Sequence, residues 1–238
     1  RYLCDCRALS PEIPTSEQRR ETRPCGPSPG GIMPVAVVNG GTRGIGKAIA
    51  DTLECNGWEV HATGRKTCDA TDTFNVWAYL RSIPRVDLLV NVAGIYREKE
   101  LIGESLMDFD IVFKTNFHGY RNWIQRVLPL MREQKSGYII NISSMAAKRV
   151  RPGCSVYAIS KAAINTLTES TLKENLQYGI RATAICPGDC DTEIGRAIAP
   201  DAELIPVEDI ASTVMWLISL SKTAIVPEVC IERRGRYL

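Results

Sequence analysis

Between residues 34 and 57 the chain changes character twice in quick succession. Pro34-Val-Ala-Val-Val38 is short, apolar and β-branched; Asn39-Gly-Gly-Thr-Arg-Gly-Ile-Gly46 follows; Ile49, Ala50 and Leu53 then fall at helical spacing before Asn56-Gly57. A strand, a glycine turn and a helix in that order form the context in which a backbone loop cradles phosphate. Glycine lets the main chain approach a pyrophosphate closely, and the first N–H groups of the helix face the anion with the helix dipole behind them. The same residues would also serve as an ordinary βα turn, so the rest of the chain has to decide.

A second stretch carries chemistry. Tyr157 and Lys161 are four apart in a helical pattern and therefore share a face. A free phenol titrates near ~10, and an ammonium held beside it favours the phenolate. Ser144 ends the apolar run Tyr138-Ile-Ile-Asn-Ile142 and its Ser143 extension. If that run is a strand, Ser144 lies at its C-terminal edge, where open α/β sheets place their ligands. Taken alone, Tyr-x-x-x-Lys is a common accident, a half-buried tyrosine beside a solvated lysine.

Composition narrows the class. The 238 residues suit one α/β domain, and a hydrophobic share of 45% supports a sizeable core. A formal net charge of +2 argues against a nucleic-acid binder driven by bulk charge. No apolar run is long enough for a bilayer. The nine cysteines are odd in number and scattered; Cys4-x-Cys6 and Cys186-x-x-x-Cys190 have neither a matching second half nor nearby histidines. The expectation is reduced thiols in a cytoplasmic protein and no metal. Residues 1–34 hold six of the 13 prolines and no apolar periodicity, and so read as a disordered or loosely attached extension. The segment lacks the apolar centre of a signal peptide, and Asp5, Glu12, Glu17 and Glu21 make it a poor transit peptide. Met33 marks the change in composition, and residues 35–238 are expected to form the folded domain.

The remaining elements alternate. Residues 58–63 form a second strand candidate, followed by Gly64-Arg65-Lys66. An acid at this point would select a free ribose 2′-hydroxyl; here Arg65, with Arg43 from the glycine loop, can pair with a 2′-phosphate, or both can face water. Only Lys66 to Cys68 separate Arg65 from Asp69-Ala-Thr-Asp72, too few for the dozen or so residues of a parallel crossover. The sheet is therefore expected to be one strand or one crossover helix short at this edge, with the chain running directly into a helix over 73–81. Residues 86–90 form a strand ending in Asn91-Val-Ala-Gly94. A long helix is expected over 106–134, with Asn116 in its middle and Pro129 bending its last turns. A second runs over 156–178, a strand over 180–186, a turn at Pro187-Gly-Asp-Cys-Asp-Thr192, a helix from Pro206 to about Ser219, and a last strand over 224–231. Alternation throughout implies a parallel, doubly wound, Rossmann-like α/β sheet in a single domain with a shortened β2–β3 region.

With these residues in order, the chain resembles the short-chain dehydrogenase/reductase family from about Val35 to Ile231. The loop is similar to that family's Thr-Gly-x-x-x-Gly-x-Gly with Asn39 in place of threonine, and Asn91-Val92-Ala93-Gly94 to its Asn-Asn-Ala-Gly. Asn116, Ser144, Tyr157 and Lys161 match its catalytic four in order and spacing. The resemblance implies that Tyr157 acts as general acid, that Ser144, rather than its neighbour Ser143, holds a carbonyl oxygen, that Lys161 lowers the Tyr157 pKa and grips a ribose, and that Asn116 positions a proton-relaying water. It further implies NADP(H) bound by Gly40, Thr42, Arg43, Gly44, Ile45, Gly46, Gly64, Arg65, Asp69, Asn91, Ala93, Gly94, Tyr157, Lys161, Pro187, Gly188 and Thr192. Asp69 looks like the acid that contacts adenine, next to the deletion. The few residues between Thr192 and the next helix imply a short substrate lid. The expected activity is NADPH-dependent reduction of a ketone or 3-oxoacyl carbonyl to an alcohol, in a homodimer or homotetramer paired through the two long helices, with no nucleic-acid or membrane partner. The competing reading, motivated by Asn39, Val92 and the missing crossover, is a cofactor-binding scaffold or redox sensor without turnover. A sugar epimerase of the extended branch would need a longer C-terminal substrate domain.

Overall fold

Six short strands lie in one parallel sheet of order β2-β1-β3-β4-β5-β6: β1 (Val35–Asn39), β2 (Glu59–Thr63), β3 (Leu88–Asn91), β4 (Gly137–Ile142), β5 (Ile180–Pro187) and β6 (Glu228–Ile231). They are seen in a computed structural model that describes residues 33–236. The extension expected over 1–34 lies, except for its last two residues, outside the described residues. β1, β3 and β4 are buried on both faces, which is why they read as near-continuous apolar runs. Ala36, Val38, Leu88, Val90 and Ile140 pack on one face with Ile49 and Leu53 of α1 (Gly44–Cys55) and Val214 and Leu217 of α7 (Val207–Ser219). Val37, Leu89 and Ile139 pack on the other with Val76, Trp123, Val127 and Leu172, from α2 (Thr73–Leu80), α4 (Gly119–Gln134) and α5 (Ser155–Asn175). Burying one such aliphatic side chain stabilises by about 2 kcal/mol, and truncating Leu53 to alanine would cost about 3 kcal/mol once the cavity is counted.

The expected shortening at the β2 edge is present. Among the described residues β2 pairs only with β1 and is the outermost strand on its side. After Thr63 the chain makes a tight turn in which Thr67 and Cys68 N–H both bond the Gly64 carbonyl, at 2.9 Å each. The next residues dock on α4 instead of pairing as a strand: Asn122 Nδ2 donates to the Ala70 carbonyl at 2.9 Å, and Gly119 leaves room for the Ala70 methyl. Asp72 then caps α2 by accepting from Phe74 N–H at 2.8 Å, so the helix begins without a preceding strand.

Three elements differ from expectation, the first being a short helix over Glu193–Ile198 where the sequence suggested none before Pro206. The helix expected over 106–134 is interrupted: α3 (Leu106–Phe113), started by a Ser105/Asp108 capping box, passes through a π-helical turn at Lys114–His118 before α4, which then runs unbroken past Pro129. The periodicity of apolar residues barely registers one wider turn, so the sequence reads as a single helix. The final strand is only Glu228–Ile231, because residues 224–227 approach the sheet as a loop. No helix among the described residues is long and apolar enough to cross a membrane.

Candidate active site

Strand order reverses between β1 and β3, since the chain leaves β1 for β2 on one side and returns to β3 on the other. Crevices at such a point, beyond the carboxyl ends of the strands, are where doubly wound sheets hold ligands. The glycine loop lies there. Gly40 (φ +86°) and Gly44 (φ +51°) occupy the left-handed region that glycine tolerates best. A methyl group on Gly46 would collide with the Gly40 carbonyl, and one on Gly40 would reach to 2.5 Å from Ala93 N, so loop and β3 terminus touch. The Asn39 carbonyl accepts from both Val92 N–H and Ala93 N–H, at 2.8 and 3.0 Å.

The start of α1 fits an anion. The caps of α2, α3 and the short α6 (Glu193–Ile198) each use a side-chain oxygen, from Asp72, Ser105 and Thr192. α1 has Arg43 at its N-cap and, like α5 and α7, no side-chain cap; it also has no acid in its first turn and follows directly on the glycine loop. Its leading N–H groups are thus left for a ligand, in a cradle only glycines permit. Of the residues expected around a dinucleotide, the structure brings Gly44 against Thr192, Gly64 against Thr42, and Gly94 against Asn116 and Lys161. Ile45 follows in the first turn of α1, and Gly188 closes the far side, its N–H bonded to the Ile231 carbonyl at 2.7 Å beside Pro187. Arg43 pairs with Glu193 of α6 at 2.8 Å, both side chains largely exposed. Arg65 is exposed at the end of β2, and Asp69 turns its carboxylate to its own Thr71 N–H at 2.9 Å.

β4 delivers the two serines. Ser143 is buried and donates to the Lys161 carbonyl at 3.0 Å, a contact that fixes the strand to α5. Ser144 turns outward, accepts from Ala146 N–H at 3.1 Å, and places its hydroxyl beside the Tyr157 phenol, where it favours the phenolate. Ser144, not Ser143, is therefore the hydroxyl beside the phenol. Tyr157 and Lys161 sit in the first two turns of α5, with Lys161 Nζ 5.8 Å from the Tyr157 ring centroid. Lys161 is 3% exposed; its ammonium donates to the Ile142 carbonyl at 2.9 Å and to Tyr120 Oη at 3.4 Å. Burial pulls the Lys161 pKa down to about 8. Burial also pushes the Tyr157 phenol up to about 12, and the nearby Ser144 hydroxyl opposes this only in part. Desolvation is the largest influence on the phenol.

Asn116 belongs to the π turn, a feature common at functional sites. Its Oδ1 accepts from Ile95 N–H at 2.8 Å, while Nδ2 donates to the Ile95 carbonyl at 3.0 Å and to Ser160 Oγ at 3.1 Å. Both amide hydrogens are thereby used, and the side chain clamps the 94–95 segment to α5. Only the second Oδ1 lone pair is left for a relay water.

Three participants escape sequence reading. The Tyr96 ring meets the Tyr157 ring edge-on, with centroids 5.2 Å apart. Tyr120 supports the ammonium from α4. Beneath the crevice, Asn39 Nδ2 donates to Asn91 Oδ1 (3.1 Å), Asn91 Nδ2 to Asn141 Oδ1 (2.9 Å) and Asn141 Nδ2 to Thr168 Oγ1 (2.8 Å). These three asparagines are register partners on β1, β3 and β4, so the amides form one buried ladder across the strand ends. The Asn39 side chain thus fills the first place in a hydrogen-bonded chain. No signal for this exists before the register is known.

A family model described as short chain dehydrogenase matches residues 66–203. The chain belongs to the short-chain dehydrogenase family. Among the relatives of this short-chain dehydrogenase is an uncharacterized oxidoreductase of Staphylococcus aureus (strain N315), 29% identical over 221 residues that cover 83% of this chain and 96% of the relative. Another is a 3-oxoacyl-[acyl-carrier-protein] reductase of Staphylococcus epidermidis, 30% identical over 240 residues, covering 85% of this chain and 98% of the relative. In fold it is similar to a crystal structure of a short chain dehydrogenase from Burkholderia cenocepacia J2315 in complex with NADP, with a TM-score of 0.77 and 24% identity over 85% of this chain and 90% of the other.

Proposed function

We propose that this short-chain dehydrogenase is an NADP(H)-dependent carbonyl reductase, acting on a ketone or 3-oxoacyl-type substrate. The observation that carries the reading is the meeting of Ser144, Tyr157 and Lys161 beside Gly94, at the crevice where the uncapped start of α1 opens. The residues fit the cofactor: the glycine cradle and α1 N-terminus for the pyrophosphate, Arg43 and Arg65 for the 2′-phosphate, and the Gly94, Pro187-Gly188 and Thr192 segments for the nicotinamide end. The relative solved with NADP is consistent with this assignment. When bound, NADPH supplies the hydride.

The chain supplies the rest. Ser144 Oγ donates to the substrate oxygen and orients it. Tyr157, whose phenol is protonated at physiological pH with or without the upward push of burial, is in the state a general acid needs, and passes its proton to the forming alkoxide. The Lys161 ammonium, fixed by Ile142 and Tyr120, provides positive potential behind the phenol and a donor for the ribose hydroxyls. Asn116 keeps the Gly94 segment in place against α5. Tyr96 forms a wall of the site next to the proton donor. In the oxidative direction the phenolate is the base, so its high pKa disfavours alcohol oxidation at neutral pH.

The test is NADPH consumption against a panel of ketones and 3-oxoacyl thioesters, for the wild type and for Tyr157→Phe. The expected result is turnover on at least one substrate, lowered by about 100-fold or more in the variant, with nucleotide binding retained. Nucleotide binding with no turnover on any carbonyl would instead favour a non-catalytic scaffold.

A further inference from the structure

The sheet ends at β6, and the pairing of β5 with β6 sets Cys186 directly opposite Cys230. Glu228 lies two residues before Cys230 and so projects from the same face of β6. That face is the one covered by α5, since Asn165 of α5 reaches both Cys186 and Glu228. The two sulfurs and a carboxylate oxygen all lie within 4.8 Å of one another, and Cys230 Sγ is 3.4 Å from Glu228 Oε1. A tetrahedral zinc-class ion, with bonds of ~2.3 Å to sulfur and ~2.0 Å to oxygen, needs sulfur–sulfur spacings of about 3.8 Å and sulfur–oxygen spacings of about 3.5 Å. The cluster is therefore within small side-chain rotations of that spacing.

We propose that Cys186, Glu228 and Cys230 bind one thiophilic divalent cation of the zinc class. Binding replaces the two thiol protons, which leave to solvent, and forms two metal–thiolate bonds and one metal–carboxylate bond. Two thiolates and one carboxylate exceed a dication by a single negative charge. Lys148, whose Nζ lies 2.7 Å from Glu228 Oε2, balances it. Cys186 is buried and Cys230 exposed, so the cation enters from the open edge of β6 and its fourth position faces a water or Asn165 Oδ1, which is 3.7 Å from Cys186 Sγ. The bound ion staples the last strand to the sheet directly behind the Pro187-Gly188 turn. Cysteine spacing along the chain cannot reveal this set, because 44 positions separate the residues that the register makes neighbours.

The test uses the full chain, reduced with a phosphine and stripped of metal. Cd²⁺ is titrated to read thiolate-to-metal charge-transfer absorption, and Zn²⁺ is titrated against a chromophoric chelator. Because Cys4, Cys6 and Cys25 also occur in this chain, a Cys4→Ser/Cys6→Ser/Cys25→Ser variant serves as the background. In that background one ion per chain should bind, with the absorption of two thiolates. Adding Cys230→Ser, at an exposed position, should halve the absorption and weaken Zn²⁺ by at least about tenfold; Glu228→Gln should weaken Zn²⁺ by about tenfold while leaving the absorption intact. Binding that disappears in the N-terminal triple variant, or that survives Cys230→Ser unchanged, overturns the assignment.

Discussion

Replacing Lys161 with methionine should make this protein more stable at neutral pH. The ammonium is 3% exposed, and burial lowers its pKa from 10.5 to about 8. At pH 7 it is still charged, so the fold holds a cation in a place that disfavours it by about 3 kcal/mol. Methionine matches the length and apolar stem of lysine and carries no charge. The Ile142 carbonyl would lose a donor, although Tyr120 Oη still donates to it at 3.0 Å, so about 1 kcal/mol is a fair deduction. A net gain of about 2 kcal/mol remains, of the order that a strained functional site gives up when its charge is removed. The gain should depend on pH in a set direction. Between pH 8 and 10.5 the folded wild type has released the Lys161 proton while the unfolded chain still holds it, so wild-type stability rises with pH across that window. The variant lacks this rise, and its advantage should shrink toward high pH. Urea unfolding of both proteins at pH about 7 and about 9.5 measures the gap, and NADPH consumption measures the loss of turnover. A variant that is less stable at pH 7, or a gap indifferent to pH, would show that the ammonium is well solvated or well paired and that the burial argument is wrong.

Other consequences are simpler to state. Gly46→Ala places a methyl against the Gly40 carbonyl and should abolish nucleotide binding, read by fluorescence titration with NADPH, while secondary structure measured by circular dichroism persists. Arg65→Asp should shift cofactor preference from NADP toward NAD; an unchanged ratio of kcat/KM values for the two would refute the 2′-phosphate contact. Asn91→Ala breaks the ladder at its centre and strands Asn39 Nδ2 and Asn141 Oδ1 without partners, a loss of about 3 kcal/mol that lowers Tm by about 10 °C. Alcohol oxidation should accelerate with pH well above neutrality, because burial holds the Tyr157 phenol protonated up to about 12, and a rate flat from pH about 7 to 10 would argue against this phenol as the base.

Much of the fold and site is legible along the chain because its signals are local. Glycines at 40 and 44 mark a turn whose backbone other residues rarely adopt and Gly46 a place with no room for a side chain, apolar residues at helical spacing mark α1 and α5, and Tyr157 and Lys161 share a helix face by arithmetic alone. The missing strand was readable too, since three residues cannot span a crossover. What the sequence left open depends on neighbours distant along the chain. A π turn at 114–118 differs from α-helix by one residue per turn and leaves the apolar pattern almost untouched, so the position of Asn116 needed the packed structure. Whether an ammonium lowers a phenol's pKa or burial raises it is a contest of environments, and only the packing of α4, α5 and the Ser144 loop around Tyr157 decides it. Strand order and register likewise set Asn39, Asn91 and Asn141 in one ladder and Cys186 opposite Cys230. Periodicity tells a residue which face of its own strand it occupies, whereas its partner on the next strand is chosen by the whole sheet.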